Sequence, residues 1–469
     1  MRRTKPRHSA RQLTLQSLPD ALLRIVIEFA TRTLLEVLNL QSINKYFQHA
    51  ARQSNNLSHV AVQVTDCAKL RRLGDMTVGI RTLAVRSAPR LENFASVLGL
   101  RSLDISYGCF AAKHFDLSHL THLRFLRIDF CGKIQHVARL PPSLHELSAK
   151  GCTNMLSLPP TLPNLVRLNV KHCHRLHSIP SAPLLSSLDV QHCPASVGSL
   201  PSLCAMKACQ EDNYMMSTYT SLHTLKFIEC TFSNTDWLAS LTKLTTLSLN
   251  IPKTHLVYDL AGISDLHLLE NLELEGPVTN EHLKHLETLG RLRSLVLCSN
   301  KMTDDGMRSV AKLQALTALG LSCSFASGFS HWGLRHLTLP RLKNMNLFGC
   351  DITDLEPLEG MANLETLVVF CSYHLRDLRH VSKLPQLQTL KLAYCDAVTG
   401  LSGLNQAPLL SKLDVSHCWD LKREGLWSLF PCHLSELVLN AHARAQLGED
   451  VPVFHRRLTA GNPQAKLIF

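Results

Sequence analysis

Along most of the chain, aliphatic residues recur at the first, fourth and sixth places of a nine-residue phrase that closes on a small polar residue, usually cysteine. Clear copies read LRFLRIDFC from Leu123, LHELSAKGC from Leu144, LVRLNVKHC from Leu165, LKNMNLFGC from Leu342, LQTLKLAYC from Leu387 and LSKLDVSHC from Leu410. The fourth and sixth places are two apart, so both point to one side of an extended strand while the residues between them face the other way. One such strand cannot bury its leucines alone. The phrase returns about seventeen times at a period of about 20 to 26 residues, and stacked copies then form a parallel sheet with a continuous core behind it.

This pattern resembles the leucine-rich repeat family, and the resemblance covers residues 57–442. It implies an α/β fold, a repeat solenoid with a curved parallel β-sheet and a convex side of mixed extended and helical character. Between Leu140 and Pro201 the connections carry proline, as in ARLPPSLHEL and LSLPPTLPNL, which predicts extended return arms because proline removes a helix donor. Later connections are longer. MTDDGMRSVAKL, Met302 to Leu313, opens on aspartates placed to cap and spaces Met307, Val310 and Ala311 as a helix does. Residues 194–220 follow the phrase poorly, with Leu203, Met206 and Ala208 as a degenerate copy, and residues 443–469 are expected to cap the last repeat.

Half of the 16 cysteines fall at the ninth place: Cys131, Cys152, Cys173, Cys193, Cys230, Cys350, Cys395 and Cys418. Asn300, Ser324 and Ser372 hold the same place elsewhere, so the position requires a small side chain that hydrogen-bonds where the chain leaves the strand. That periodicity argues against a disulfide framework. His172, Cys173, His174, His192 and Cys193 offer zinc-type ligands, yet the histidines simply occupy places next to the ninth, and a structural role is the simpler reading.

Residues 12–55 do not follow the phrase and predict three short helices. Ser17 precedes Leu18, Pro19 and Asp20, Thr33 pairs with Glu36 as a capping box, and Ser42 opens the third helix. The module carries more apolar surface than some forty residues enclose by themselves, so something must cover it. Residues 1–11 are a basic tail holding Arg2, Arg3, Lys5, Arg7 and Arg11, part of a formal charge of +12 over 469 residues. Such a tail is a solvated arm, a nuclear import signal or a nucleic-acid contact. No stacking-aromatic motif accompanies it and the repeats carry mixed charge, which argues against a general nucleic-acid binder. The apolar run Leu22 to Ala30 is too short to span a bilayer, and abundant reduced cysteine fits a cytoplasmic or nuclear compartment.

No phosphate-binding glycine loop, nucleophile elbow, HExxH helix or kinase motif is present, so neither an enzyme nor a cofactor is expected. A solenoid of this kind works by offering a long surface. The third, fifth and seventh places alternate with the buried leucines and face the open side of the sheet. In early repeats these are polar, among them Arg127, Asp129, Glu146, Lys150, Arg167, Asn169, Lys171, Asp189 and Lys226. Later they become Val296, Cys298, Ala318, Gly320, Phe348, Val368, Phe370 and Ala393. Contiguous exposed apolar residues mark binding sites, so Phe348, Phe370, Val368 and Val296 are the candidate partner site. The alternative is that the chain covers this patch itself.

The segment LQSLPDALLRIVIEFATRTLLEVLNLQSINKYFQHAAR resembles an F-box through Leu18, Pro19, Asp20, Leu22, Leu23, Ile25 and Phe29, the leucines from Leu34 to Leu40, and Ser42, Asn44, Lys45, Phe47 and Ala50. The resemblance implies that Leu18, Pro19, Leu22, Leu23, Ile25 and Phe29 dock on a Skp-type adaptor of a cullin (SCF) ubiquitin ligase while the repeats capture a protein substrate. CDITDLEPLEGMANLETLVV from Cys350 looks like the cysteine-type repeat that commonly follows an F-box. A short link between the first two helices, and Tyr46 and Phe47 where the family often has tryptophan, depart from the pattern. Two other readings stand beside it: a plain helical cap on a protein-interaction scaffold with no ubiquitin role, and a bacterial-effector-like ligase, for which too few residues follow Asn440 to hold a catalytic domain.

Overall fold

The computed structural model describes residues 62–64, 82–85, 99–108, 114–209, 216–229, 234–252, 259–323 and 328–469. The expected helical module 12–55, the basic tail, Cys230 and Ser324 lie outside these residues. The chain forms two compact units, Met1–Ala208 and Cys209–Phe469, whose boundary falls within the irregular stretch 194–220. Each is a parallel ladder built by the repeated phrase, and the fold is that of an α/β leucine-rich repeat solenoid.

In the first unit the ladder runs β1 (Val62–Val64), β2 (Thr82–Val85), β3 (Ser102–Asp104), β5 (Phe125–Arg127), β7 (Glu146–Ser148), β8 (Arg167–Asn169), β9 (Ser187–Asp189) and β10 (Ala205–Cys209), each paired in parallel with the next. Leu103, Leu126, Leu147, Leu168 and Leu188 lie in register and are buried, as the phrase requires. On the return side β4 (His114–Asp116) pairs with β6 (His136–Arg139), and isolated bridges join His136 to Ser157, Thr161 to Ser181 and Ser178 to Ser196. The proline-bearing arms are therefore extended, and their backbone groups pair from one repeat to the next.

Most strands here are only three residues long, and the fifth place shows why. The Asp104, Asn169 and Asp189 carboxyl or amide oxygens accept the N–H of Ser106, Lys171 and Gln191 at 3.0, 3.1 and 3.3 Å. Such a turn made by the side chain competes with strand continuation. The eighth residue then adopts a left-handed conformation, at Tyr107, Phe130, Gly151, His172 and His192. A non-glycine residue there costs about 1 kcal/mol or more, and it is held because its N–H stays in the ladder. Tyr107, Phe130 and His172 donate to the carbonyls of Asp129, Lys150 and Gln191 at 2.7, 2.7 and 2.8 Å.

This turn throws the ninth side chain into the core. Cys131, Cys152 and Cys173 donate to the carbonyls of Ile105, Ile128 and Ala149 at 3.2, 2.9 and 3.0 Å, always the sixth residue of the preceding repeat. Cys350, Cys395 and Cys418 repeat the contact to Leu321, Val369 and Leu392 at 3.6 to 3.8 Å. Burial holds the thiols protonated: the Cys173 and Cys418 pKa values are pushed up to about 12 and those of Cys193 and Cys395 to about 11. A protonated thiol is a donor, so the cysteine column stitches neighbouring repeats together.

The second unit is the ladder β11 (Thr224–Ile228), β12 (Thr246–Asn250), β13 (Asn271–Glu275), β14 (Ser294–Ser299), β15 (Ala318–Cys323), β16 (Asn344–Phe348), β17 (Thr366–Phe370), β18 (Thr389–Ala393), β19 (Lys412–His417), β20 (Glu436–Val438) and β21 (Lys466–Ile468). Its return side holds short helices and 3-10 turns: α1 (Asn280–Lys284), α2 (Met307–Val310) after the 3-10 turn Asp304–Gly306, α3 (His331–Leu334) and α4 (Arg423–Trp427). Met307 and Val310 are buried as the spacing predicts, whereas Ala311 is half-exposed. Asp304 does not cap its own turn. Its carboxylate accepts the Ser330 hydroxyl and N–H at 2.8 and 2.7 Å, and Ser330 in turn caps α3 through the Trp332 N–H.

β14 and β15 run six residues with unbroken alternation, so the eighth place is buried in both, and after β14 the ninth, Asn300, is not. Ser299, not Asn300, fills the small polar site and donates to the Val278 carbonyl at 2.7 Å, and Cys323 is buried one place before Ser324. After β20 come α5 (Ala441–Leu447) and α6 (Val451–Gly461), which bury Ala443, Leu447, Phe454 and Leu458. Asn440 links them to the repeats, accepting the Ala443 N–H at 2.7 Å and donating to the Cys418 carbonyl at 3.0 Å. The tail then adds β21 as one more strand beside β20, leaving Ile468 and Phe469 exposed.

Candidate functional site

The open face of the second unit divides by charge. β11 to β13 present Lys226, Glu273 and Glu275, with Lys226 3.5 Å from Glu273, and Ser248 and Asn250 donating to Glu273 and Glu275. β18 to β20 present Lys391 paired with Asp414 at 2.9 Å and Lys412 near Glu436 at 3.9 Å. The third, fifth and seventh places of the four strands between them are uncharged: Ser294, Val296 and Cys298; Ala318, Gly320 and Ser322; Asn344, Asn346 and Phe348; Thr366, Val368 and Phe370. A partner laid across this window meets no charge that it must strip of water.

The relief within the window follows from side-chain size. Val296, Gly320, Asn346 and Val368 are successive partners across the ladder, so the missing side chain at Gly320 leaves a notch between its neighbours. A Cβ there would meet Val296 Cγ2 at 3.4 Å, an ordinary contact, so the notch has room for a methyl group. Phe348 and Phe370 are partners at the carboxyl ends of β16 and β17, with ring centroids 6.2 Å apart and planes inclined by 38°. Phe348 is 50% exposed, while Phe370, Val368 and Val296 are half-buried. The structure thus brings Phe348, Phe370 and Val368 together on one surface, with Val296 across the Gly320 notch. Ala393, which the alternation also assigns to this face, is fully buried, between its ladder partners Phe370 and His417, where β18 and β19 slip in register.

The corresponding face of the first unit is polar and internally paired. Arg167 meets Glu146 at 2.6 Å, Arg127 lies 3.9 Å from Asp104 and 3.7 Å from Asp129, and the Asp129 carboxylate accepts the Ser148 hydroxyl at 2.6 Å. Sequence reasoning missed two features here. Phe125 is 44% exposed at the third place of its phrase, a position the alternation predicts but that was read only for its polar neighbours. The left-handed eighth places form a rim of rings: Tyr107 stacks on Phe130 at 5.0 Å and His172 on His192 at 4.7 Å, nearly parallel. At Gly151 a Cβ would lie 2.5 Å from the Phe130 ring, so that ring lies over the glycine.

The zinc-type cluster separates by burial. The Cys173 sulfur is buried and donates to the Ala149 carbonyl, whereas His172 and His192 stack on one another outside. Burial and the neighbouring His192 lower the His172 pKa, which favours the neutral ring. Among the described residues one group brings possible metal ligands within 4.8 Å of each other, His331, Asp354 and Glu356. The guanidinium of Arg335 already sits 2.6 Å from Glu356 and stacks on Trp332 at 4.4 Å, so that carboxylate is neutralised from within the chain. The adaptor-type residues Leu18, Pro19, Leu22, Leu23, Ile25 and Phe29 lie outside the described residues. No described helix is long and apolar enough to cross a membrane.

No protein-family model matches the chain, and no curated protein is similar to it at a significant level. Among solved structures it is similar to an internalin from Listeria monocytogenes, at 18% identity over 75% of this chain and 81% of that one, with a TM-score of 0.41. A likeness that distant carries no argument about function. The fold assignment rests on the ladder, the cysteine column and the buried leucines of this chain.

Proposed function

We propose that this protein is a non-enzymatic receptor that binds a protein partner across the open face of β14 to β17, centred on Phe348, Phe370, Val368 and Val296. The observation that carries the reading is the uncharged four-strand window between two charged ones, with the half-exposed Phe348 on one of its inner strands. Aromatic anchors in the centre of a patch supply most of the binding energy at protein interfaces, and exposed apolar patches of this kind are rare without a partner. Replacing Gly320 by phenylalanine fills the notch without touching the core, so loss of a captured partner with an unchanged melting temperature supports the reading. Retention of every partner contradicts it.

The finer reading is a substrate receptor of an SCF ubiquitin ligase. Its support is the F-box-like run from Leu18 to Ala50 placed ahead of a cysteine-type repeat array, together with the excess apolar surface that run carries. In that reading Leu18, Pro19, Leu22, Leu23, Ile25 and Phe29 dock on a Skp-type adaptor, a cullin assembles behind it, and the repeats hold the substrate. Mixing the purified chain with a Skp-type adaptor tests it. A stable complex that Leu22→Asp with Leu23→Asp abolishes supports the receptor role, and absence of a complex leaves a binding scaffold without ubiquitin function. A cytoplasmic or nuclear location belongs to the same proposal.

A further inference from the structure

The tenth place of the repeats beside the Phe348 and Phe370 patch carries Asp351, Tyr373, Asp396 and Trp419 on successive turns. Tyr373 and Trp419 are 45% and 47% exposed. Between them Asp396 has a buried Oδ1 with no hydrogen-bond partner, and no ion pair to it is found among the described residues. Asp351, the other aspartate at this place, meets the His374 ring at 2.6 Å, and elsewhere in these repeats Asp377 and Asp414 pair with Arg379 at 2.6 Å and Lys391 at 2.9 Å. That Oδ1 is itself closed to solvent, so a cation from outside compensates the carboxylate through its charge rather than by bonding this atom.

The tryptophans point the same way. Trp237 is buried, Trp332 carries Arg335 at 4.4 Å and Trp427 carries Arg457 at 5.3 Å. Trp419 is exposed, and none of the chain's own cations lies over its ring among the described residues. Tyr394, 44% exposed and stacked on His417 at 4.8 Å, adds a third ring beside Asp396. Rings around a carboxylate attract a cation by its quadrupole and its charge together, and a guanidinium satisfies both with one planar group.

We infer that Asp396, Tyr373, Tyr394 and Trp419 form a seat for an arginine side chain of the protein partner, next to the uncharged patch. This rests on the receptor reading above and names the chemistry of what is received: a segment with an apolar group for Phe348 and Phe370 and an arginine one step toward Asp396. The charge complementarity is local, because the adjoining window offers no carboxylate of its own.

The test uses the full chain labelled with 5-fluorotryptophan, which resolves the four tryptophans by fluorine NMR, with Trp419→Phe to assign the resonance. N-acetyl-arginine amide is the probe and N-acetyl-citrulline amide, uncharged and of the same shape, its control. The expected result is a saturable shift of the Trp419 resonance by the arginine probe alone, weakened about tenfold or more by Asp396→Asn. Equal shifts from both probes, or an unchanged titration in Asp396→Asn, overturn the seat. A protein partner that binds Asp396→Asn as tightly as wild type but is lost from Phe348→Ala with Phe370→Ala also overturns it, while leaving the receptor reading intact.

Discussion

Replacing Cys152 by alanine removes one rung of the column that joins repeats in the first unit. The side chain is fully buried, and its thiol donates to the Ile128 carbonyl at 2.9 Å. Burial, reinforced by Cys173 and Cys131 nearby, pushes its pKa well up, so it is a neutral donor at neutral pH. Alanine leaves a buried carbonyl without its partner, a cost of about 1–3 kcal/mol. It also forfeits the burial and contacts of the sulfur, about 1 kcal/mol. The expected loss is about 2–4 kcal/mol. Serine keeps a donor, and the short S···O distance leaves a hydroxyl on its shorter bond within reach, so Cys152→Ser is expected to fall about 1 kcal/mol less than Cys152→Ala. Urea unfolding followed by circular dichroism measures both. If the two variants unfold together, or alanine costs nothing, the thiol is only a small buried group and the stitching account fails.

His172 has its pKa lowered by burial and by His192, so between that lowered value and about 6.5 the unfolded chain binds more protons than the folded one. Stability contributed by the His172–His192 stack is therefore full above about pH 6.5 and falls on acidification, and His172→Phe should flatten that dependence in melts from pH 7.5 to 5. Asn440→Ala should cost about 1–2 kcal/mol, because it removes both the cap of α5 and the donor to the Cys418 carbonyl, with unfolding midpoints as the readout. Glu287 has its pKa lowered by hydrogen bonds from Lys312 and Ser309. It therefore adds stability above about pH 4.5 that is lost as pH falls through the lowered value, and Glu287→Gln should remove less than about 1 kcal/mol at neutral pH.

The ladder was legible because its period is enforced at every repeat: Leu126, Leu147, Leu367 and Leu390 are buried where the phrase places them. The extended arms followed from proline, and the helical arms from the spacing of Met307 and Val310. Phe348 and Phe370 share a surface because two residues of strand alternation suffice to say so. What escaped depends on the turn at the end of the strand. Whether the eighth or the ninth side chain turns inward is decided by a left-handed residue that leaves no fixed signature, since Tyr107, His172, Cys371 and Gly349 all adopt it. Hence Ser299 replaces Asn300 and the ring rim went unseen. The burial of Ala393 escaped because alternation gives the face of a side chain and not what its ladder neighbours, here Phe370 and His417, lay over it.

The receptor claim is tested most directly by purifying the full-length protein from cells and comparing its captured proteins with those of Phe348→Ala with Phe370→Ala, after checking that both forms melt at the same temperature. Truncated anchors at the centre of an interface cost 2 kcal/mol or more each, so the account predicts that at least one partner falls about thirtyfold or further. Under the proposed ubiquitin-ligase reading, a Skp-type adaptor is captured equally by both. An identical set of partners at identical levels from the two forms would contradict the receptor claim.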